Sequence, residues 1–360
     1  MHNIFILFFA SLVNFQEYII ESDDKYFNTL HIDYISINDD IYLYETIISK
    51  DCKIFLKNLN DQNKEYVLEL DPEFSKFKTC NKILISNIQS IKDTLLFVTS
   101  DKVLKYYFDT VGDKFDLIEV INLEEIFKKP ILYYGTKIFL EYPYLYGWND
   151  LYNSKNSSNN LYYYKVDLNN LNIREFIELD LPKGFYWTLF QPRNIIDFTN
   201  GKFLYTNVTE YEIYIHNFSK GIIDTIKRDL PDWRSNTFSN TKFSGIHPVQ
   251  IAETLQKESE TNCLIHRASF VNDSTILVCY SGIENEKKGG QLYSFYYDIW
   301  KYYDNKWYIK NEHKDKFLLN SNKELSINQS YRILFNNIFS IQLNEDDEKY
   351  HVYKFNPFDY

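Results

Sequence analysis

Three arginines, Arg193, Arg267 and Arg332, stand out for their chemistry, because each lies at the start of an apolar segment of the same kind. Arginine carries a planar fork of N–H donors that matches a carboxylate or a phosphate. His266 stands beside one of them, and His247, Trp233 and Arg234 fall within the long stretch 229–262. Trp148 and Trp187 fall in two earlier stretches that read as loops. An exposed indole is a flat apolar platform with one polar edge. Together these residue types suit an anionic small molecule, a peptide terminus or a sugar. Taken singly, each arginine has a competing role as an ion-pair partner for one of the 50 Asp and Glu residues. There is no Gly-x-Ser-x-Gly elbow, no His-Glu-x-x-His, no phosphate loop and no dinucleotide glycine motif. Each of those motifs marks a defined catalytic geometry. Binding is therefore favoured over catalysis, no catalytic residue is assigned, and no cofactor is expected. The acidic pairs Asp39-Asp40 and Asp346-Asp347 fall at turns. Turns favour Asp for backbone reasons, so a calcium site there is the lesser alternative and no metal is expected.

The elements that must position these residues are strands. The chain has 360 residues, 18% of them aromatic, with 32 Tyr, 28 Phe and only 10 Gly. Such a composition excludes disorder, a class poor in aromatic and β-branched residues. A net charge of −11 with no long basic run argues against nucleic acid, whose binding rests on neutralising phosphates. Aromatic and β-branched residues recur in short runs bounded by Asn, Asp and Gly, the strand and hairpin signal. Residues 193–228 are the clearest stretch: RNIIDF, a turn at TNG, KFLYTN, YEIYIHN, a turn at FSKG, then IIDTIKR. That is a four-strand meander. The order of parts returns from residues 33, 87, 131 and 266. In the unit from 131 the strands read ILYY, KIFLEYPY, LYYYKVD and IREFIEL, with GT as the first turn.

The final unit has YRILF, IFSIQL and KYHVYKF and lacks a fourth strand, while EYIIES at 17–22 is a strand without partners. A ring of blades needs such a clasp, because an open ring leaves an unpaired edge. The expected fold is all-β, a six-bladed β-propeller of four-stranded antiparallel blades with the last blade closed by the N-terminal strand. A multi-sheet sandwich or two stacked β domains is the alternative. The lack of a Pro/Gly/Ser linker favours one domain over 17–360.

Such a meander sorts its loops onto two faces. Turns joining strands one to two and three to four are short here. Every long insertion falls on the other face: 71–86, 146–160, 181–192, 229–262, 282–290 and 314–330. Insertions confined to one face mark a binding face. The three arginines, at the starts of innermost strands, would sit near the central channel mouth on that face. The helix-like stretch 246–258 could cover it. Cys52 and Cys80 fall there as well and could pair, whereas Cys263 and Cys279 are offset in register.

Residues 4–13 form an apolar run too short to span a bilayer. It reads as the core of a secretory signal over 1–16, cleaved between residues 11 and 16, with a buried first strand as the competing reading. The expected location is secreted, periplasmic or at the cell surface.

With these units laid out, and on segments such as FVNDSTILVCY and NKWYIKN, the chain resembles the six-bladed β-propeller proteins, TolB-like and related, found as exported proteins of Bacteroidota. It departs from the NHL-type members, which are richer in turn glycine, so no functional residue carries over. The resemblance implies an exported binding or interaction protein, a monomer whose partner is a protein, peptide or glycan. A propeller-type glycan hydrolase or lyase is the first alternative, and a structural scaffold or adhesin is the second.

Overall fold

A computed structural model describes residues 15–21, 29–37, 40–47, 53–61, 63–69, 87–99, 102–123, 138–150, 161–179, 196–207, 210–217, 220–230, 233, 263–287, 290–314, 317–320, 323–325, 331–334, 336–344 and 349–358. The first strand of the chain is β1 (Phe15–Glu21). Blade one follows with β2 (Thr29–Ile37), β3 (Asp40–Ile47), β4 (Lys53–Asn58) and β5 (Glu65–Glu69). Blade two is β6 (Asn87–Ile91), β7 (Thr94–Val98), β8 (Lys102–Asp109) and β9 (Lys114–Asn122). Blade three is β10 (Ile138–Glu141), β11 (Tyr144–Asp150), β12 (Leu161–Asp167) and β13 (Asn172–Leu179). Blade four is β14 (Ile196–Thr199), β15 (Lys202–Asn207), β16 (Glu212–Asn217) and β17 (Gly221–Lys227). Blade five is β18 (Leu264–Asn272), β19 (Thr275–Lys287), β20 (Gly290–Tyr303) and β21 (Lys306–Lys314). A small hairpin, β22 (Phe317–Asn320) with β23 (Lys323–Leu325), leads to blade six: β24 (Tyr331–Leu334), β25 (Asn337–Asn344) and β26 (Lys349–Phe355).

Each sheet is a four-stranded antiparallel meander in chain order, except that the last runs β1-β26-β25-β24. The first strands of successive blades meet: β2 touches β6, β6 touches β10, β14 touches β18, β18 touches β24, and β24 returns to β2. Phe139 of β10 packs on Phe198 of β14 at 5.4 Å and supplies the remaining junction. The protein is a six-bladed β-propeller, with the N-terminal strand as the outer strand of blade six.

The period of two explains why this sequence packs as a ring. In β7, TLLFV, Leu95 and Phe97 enter the slab against blade one, whereas Leu96 and Val98 enter the slab against blade three. A strand buried on both faces is therefore apolar without a break. The outer strand β9 keeps only Phe115 and Ile121 buried and sends charged residues outward between them. With few glycines, left-handed turn positions fall to Asp113, Asn200, Asp304, Asn305 and Asn336, all at positive φ. Asn and Asp tolerate that region because their short side chains bond locally to the backbone.

The clasp is in full register. Phe15 opposes Phe355 and Glu21 opposes Lys349. Ile20, 2% exposed, seals the slab between blades six and one with Leu43, Phe339 and Val352.

Three expectations are corrected. Blade three turns at Tyr142-Pro143 rather than at GT, so β10 and β11 divide the run KIFLEYPY between them. Proline has no N–H for the ladder, and an apolar run reads as one strand until that missing donor is counted. This places Trp148 in β11 opposite Tyr163 instead of in a loop. It also sets Gly147 opposite Tyr164, whose ring comes within 2.1 Å of where a Cβ would lie, so only glycine fits there. The stretch 282–290 is not a loop either. The β19–β20 ladder continues through Glu284 opposite Leu292 to Lys287 opposite Gly290. Its polar composition hides a hairpin held by backbone bonds, which need no apolar side chain. Finally, β22 and β23 lie within the expected insertion 314–330.

Candidate functional site

The two ends of the ring are built differently. On the short-turn face, side chains tie one turn to the next around the axis. Gln89 Oε1 accepts from the backbone N–H of Tyr142 at 3.0 Å, and Glu141 Oε1 accepts from that of Asn200 at 2.6 Å. The Asn200 amide donates to Asp273 at 2.8 Å, and the Asn272 amide donates to Asn336 at 3.2 Å. These contacts link blades two to six in succession and commit that rim to structure. Of the three arginines expected at inner strands, the side chain described is that of Arg267, midway along β18.

Arg267 holds its guanidinium 4.0 Å over the ring of Tyr331 on the neighbouring inner strand β24. Its Nε donates to Ser269 Oγ at 3.3 Å. A cation held over an aromatic ring is attracted by the ring's negative face. Arg332 follows Tyr331 directly in β24, so the ring brings the backbones of two of the three arginines onto adjoining inner strands. Beneath them, burial pushes the Cys279 thiol up to about 12, which leaves it inert. Cys263 is likewise buried and outside any disulfide.

His266 is the extra residue of a β-bulge, since Ile265 opposes Tyr280 and Arg267 opposes Cys279. The bulge turns the imidazole inward, where it is 7% exposed and lies against Phe295 at 5.1 Å. Burial lowers its pKa to about 4, so it is neutral at physiological pH. The unfolded chain takes up the proton near 6.5 and the folded chain only near 4, so stability falls as pH drops through that window. The loss attributable to His266 amounts to about 3 kcal/mol. Chemical denaturation of the wild type and of His266→Asn between pH 7 and pH 4 checks this: the variant's profile should be flatter by that amount.

A second polar cluster fills the crevice between blades four and five, and of its members the sequence pattern singled out only Trp233. Asp298 of β20 has a fully buried side chain. Its Oδ2 accepts from Arg228 Nη1 at 2.6 Å and from the Tyr211 hydroxyl at 2.6 Å. Arg228 also reaches the Tyr280 hydroxyl at 3.1 Å and Glu312 at 2.8 Å, while Trp300 Nε1 donates to the Tyr211 hydroxyl at 2.9 Å. Burial pushes the Asp298 carboxyl above the usual carboxylate range, against the lowering pull of Tyr211 and Arg228. Trp233 completes the cluster, its ring centroid 5.9 Å from Tyr211 and 6.0 Å from Tyr280. The signal that could have revealed it is Asp298 itself, an acid within the aromatic strand segment FYYDIW, since a buried carboxylate demands a cation.

Of the other expected site residues, Arg193, Arg234, His247 and Trp187, with Cys52 and Cys80, lie outside the described residues, as do the side chains of Arg332 and Trp148. The stretches 1–14 and 246–258 lie outside them too. Asp40 opens β3 and pairs with Lys64 at 3.1 Å. Among the described residues no group of three or more His, Cys, Asp or Glu side chains is placed to hold a metal. Among them, too, no helix is long and apolar enough to cross a membrane.

This geometry defines the class, a closed six-bladed propeller, and comparison with known proteins adds a likeness of fold. No family model matches the chain. No curated protein matches it either. A member of the DUF4221 family from Bacteroides vulgatus superposes with a TM-score of 0.53 at 11% identity, covering 96% of this chain and 98% of that one. The Pan2 WD40 domain of Neurospora crassa gives a TM-score of 0.44 at 7% identity, over 92% of this chain and 90% of that domain. At these identities the likeness is one of fold.

Proposed function

We propose that this propeller is an exported binding protein that takes an anionic ligand at the long-loop mouth of its channel. The observation that carries the reading is the placement of Arg267, whose guanidinium lies 4.0 Å over the ring of Tyr331, the residue that precedes Arg332 in the inner strand of the next blade. Arg193, three residues ahead of the inner strand β14, would be the third member. A carboxylate or phosphate meeting two or three guanidinium edges forms charge-assisted bonds that are stronger than neutral ones. The ligand class is therefore an acidic peptide terminus or an acidic small molecule.

A thermal-shift and calorimetric screen of acidic peptides and dicarboxylates against the full chain tests this. Binding should be lost in the triple variant Arg193→Gln, Arg267→Gln, Arg332→Gln, with the thermal midpoint nearly unchanged. A triple variant that unfolds would instead make these arginines structural.

Export rests on the apolar run 4–13. Since Phe15 and Gln16 already belong to the clasp ladder, we place cleavage ahead of Phe15, where it leaves the blade intact. Sequencing the N-terminus of the exported chain should find it between residues 12 and 15. A mature chain that begins after Gln16 would contradict the placement.

A further inference from the structure

The hairpin that joins β20 to β21 carries a surface used by neither the channel nor the crevice. Its two turn residues, Asp304 and Asn305, both have positive φ, the backbone of a tight two-residue turn. The register sets Tyr303 opposite Lys306 and Lys301 opposite Tyr308, so these four side chains share one face of the hairpin. The Tyr303 and Tyr308 rings stack at 4.2 Å with 18° between their planes. They nevertheless remain 53% and 37% exposed. Lys306 is exposed in the same row, while Lys301 is held by the carbonyl of Phe358 at 2.7 Å. Lys310 sits at the bulge beyond, also exposed.

Local charge points to the kind of partner. In a chain of net −11, this hairpin carries Lys301, Lys306, Lys310 and Lys314 against Asp298, Asp304 and Glu312. Among the described acids of this hairpin, Asp298 and Glu312 are engaged by Arg228, and Asp304 lies in the turn. Cross-strand aromatic pairing stabilises a hairpin by itself, but it does not require that the rings stay this exposed or that lysines flank them. An aromatic face suits the C–H face of a pyranose ring, and flanking ammonium groups suit carboxylates spaced along a chain.

We propose that this corner of blade five is a second binding surface, for an acidic polysaccharide of uronic-acid type. Nucleic acid would also stack on tyrosine, and the titration below separates it from a uronic-acid chain.

Calorimetric titration of the full chain with polygalacturonate oligomers, against uncharged galactan oligomers, tests the proposal. Binding to the acidic oligomer is expected, weakened at least about tenfold by Tyr303→Ala with Tyr308→Ala and also by Lys306→Glu. Lys306→Gln changes one exposed charge and leaves both rings, so it keeps the test open if the tyrosine variant unfolds. The triple arginine variant should bind the oligomer as the wild type does, which separates this surface from the channel mouth. Equal affinity for galactan, indifference to Lys306 and Tyr303, or a preference for single-stranded DNA would each overturn it.

Discussion

Replacing Arg228 with Met lowers the stability of the folded chain by about 3–5 kcal/mol at neutral pH. The reason is what the change leaves behind. Asp298 is fully buried, and among the described residues Arg228 is the cation paired with it, at 2.6 Å. Without the guanidinium, an acid already pushed up by burial must either stay charged in a poor solvent or bind a proton. The Tyr211 hydroxyl at 2.6 Å then remains its nearest donor. The sign follows from linkage. A carboxyl whose folded pKa is raised contributes stability below that pKa and loses it as pH rises, so the Arg228→Met variant should regain stability on mild acidification. That trend is opposite to the one His266 imposes. The double variant Arg228→Met, Asp298→Asn should recover most of the loss, because no charge is then buried alone. Urea denaturation of the two single variants and the double one, read as a cycle, checks the coupling. Additive effects, with no recovery in the double variant, would mean that the pair does not act as a unit.

The other large effect comes from the clasp. A chain that begins at residue 22 loses the whole β1 ladder, and with it the outer strand of blade six. β26 then becomes an unpaired edge between Lys349 and Phe355, open to pairing with other chains. Loss of the cooperative thermal transition and of the intact chain's gel-filtration peak is expected. The strand supplied separately as a peptide should restore part of both. Ile20→Ala is the milder version, costing about 2–5 kcal/mol through the cavity left among Leu43, Phe339 and Val352. A truncated chain that melts like the intact one would show that the blade is stable without its clasp.

Where sequence reading succeeded and where it failed follow from the range of the signals. β7 and β15 were legible because strand identity is carried by the side chains of the strand itself. The clasp was legible because a closed ring requires a partner for β26, and EYIIES was the strand left over. Blade three was misdivided because an apolar run such as KIFLEYPY carries no register, and the turn rested on a single Pro143. The β19–β20 extension was missed because its tip is polar in sequence, and a backbone ladder leaves no apolar signature there. The Arg228–Asp298 pair was invisible because its members lie 70 residues apart on different blades. Arg267 and Arg332 were visible as a recurring position, whereas the Tyr331 ring that orients Arg267 was not.

By itself, then, the sequence determined the number of blades, the antiparallel meander, the N-terminal closure and the choice of Asn and Asp for tight turns. All of these follow from local periodicity and backbone preference, which a chain carries wherever it folds. Only the tertiary structure decided which arginine is committed to a buried carboxylate, which imidazole a bulge turns inward, and which tyrosines stay open on blade five. Those outcomes depend on how neighbouring blades meet, because burial and ion pairing are properties of the contact between two surfaces and not of either strand alone.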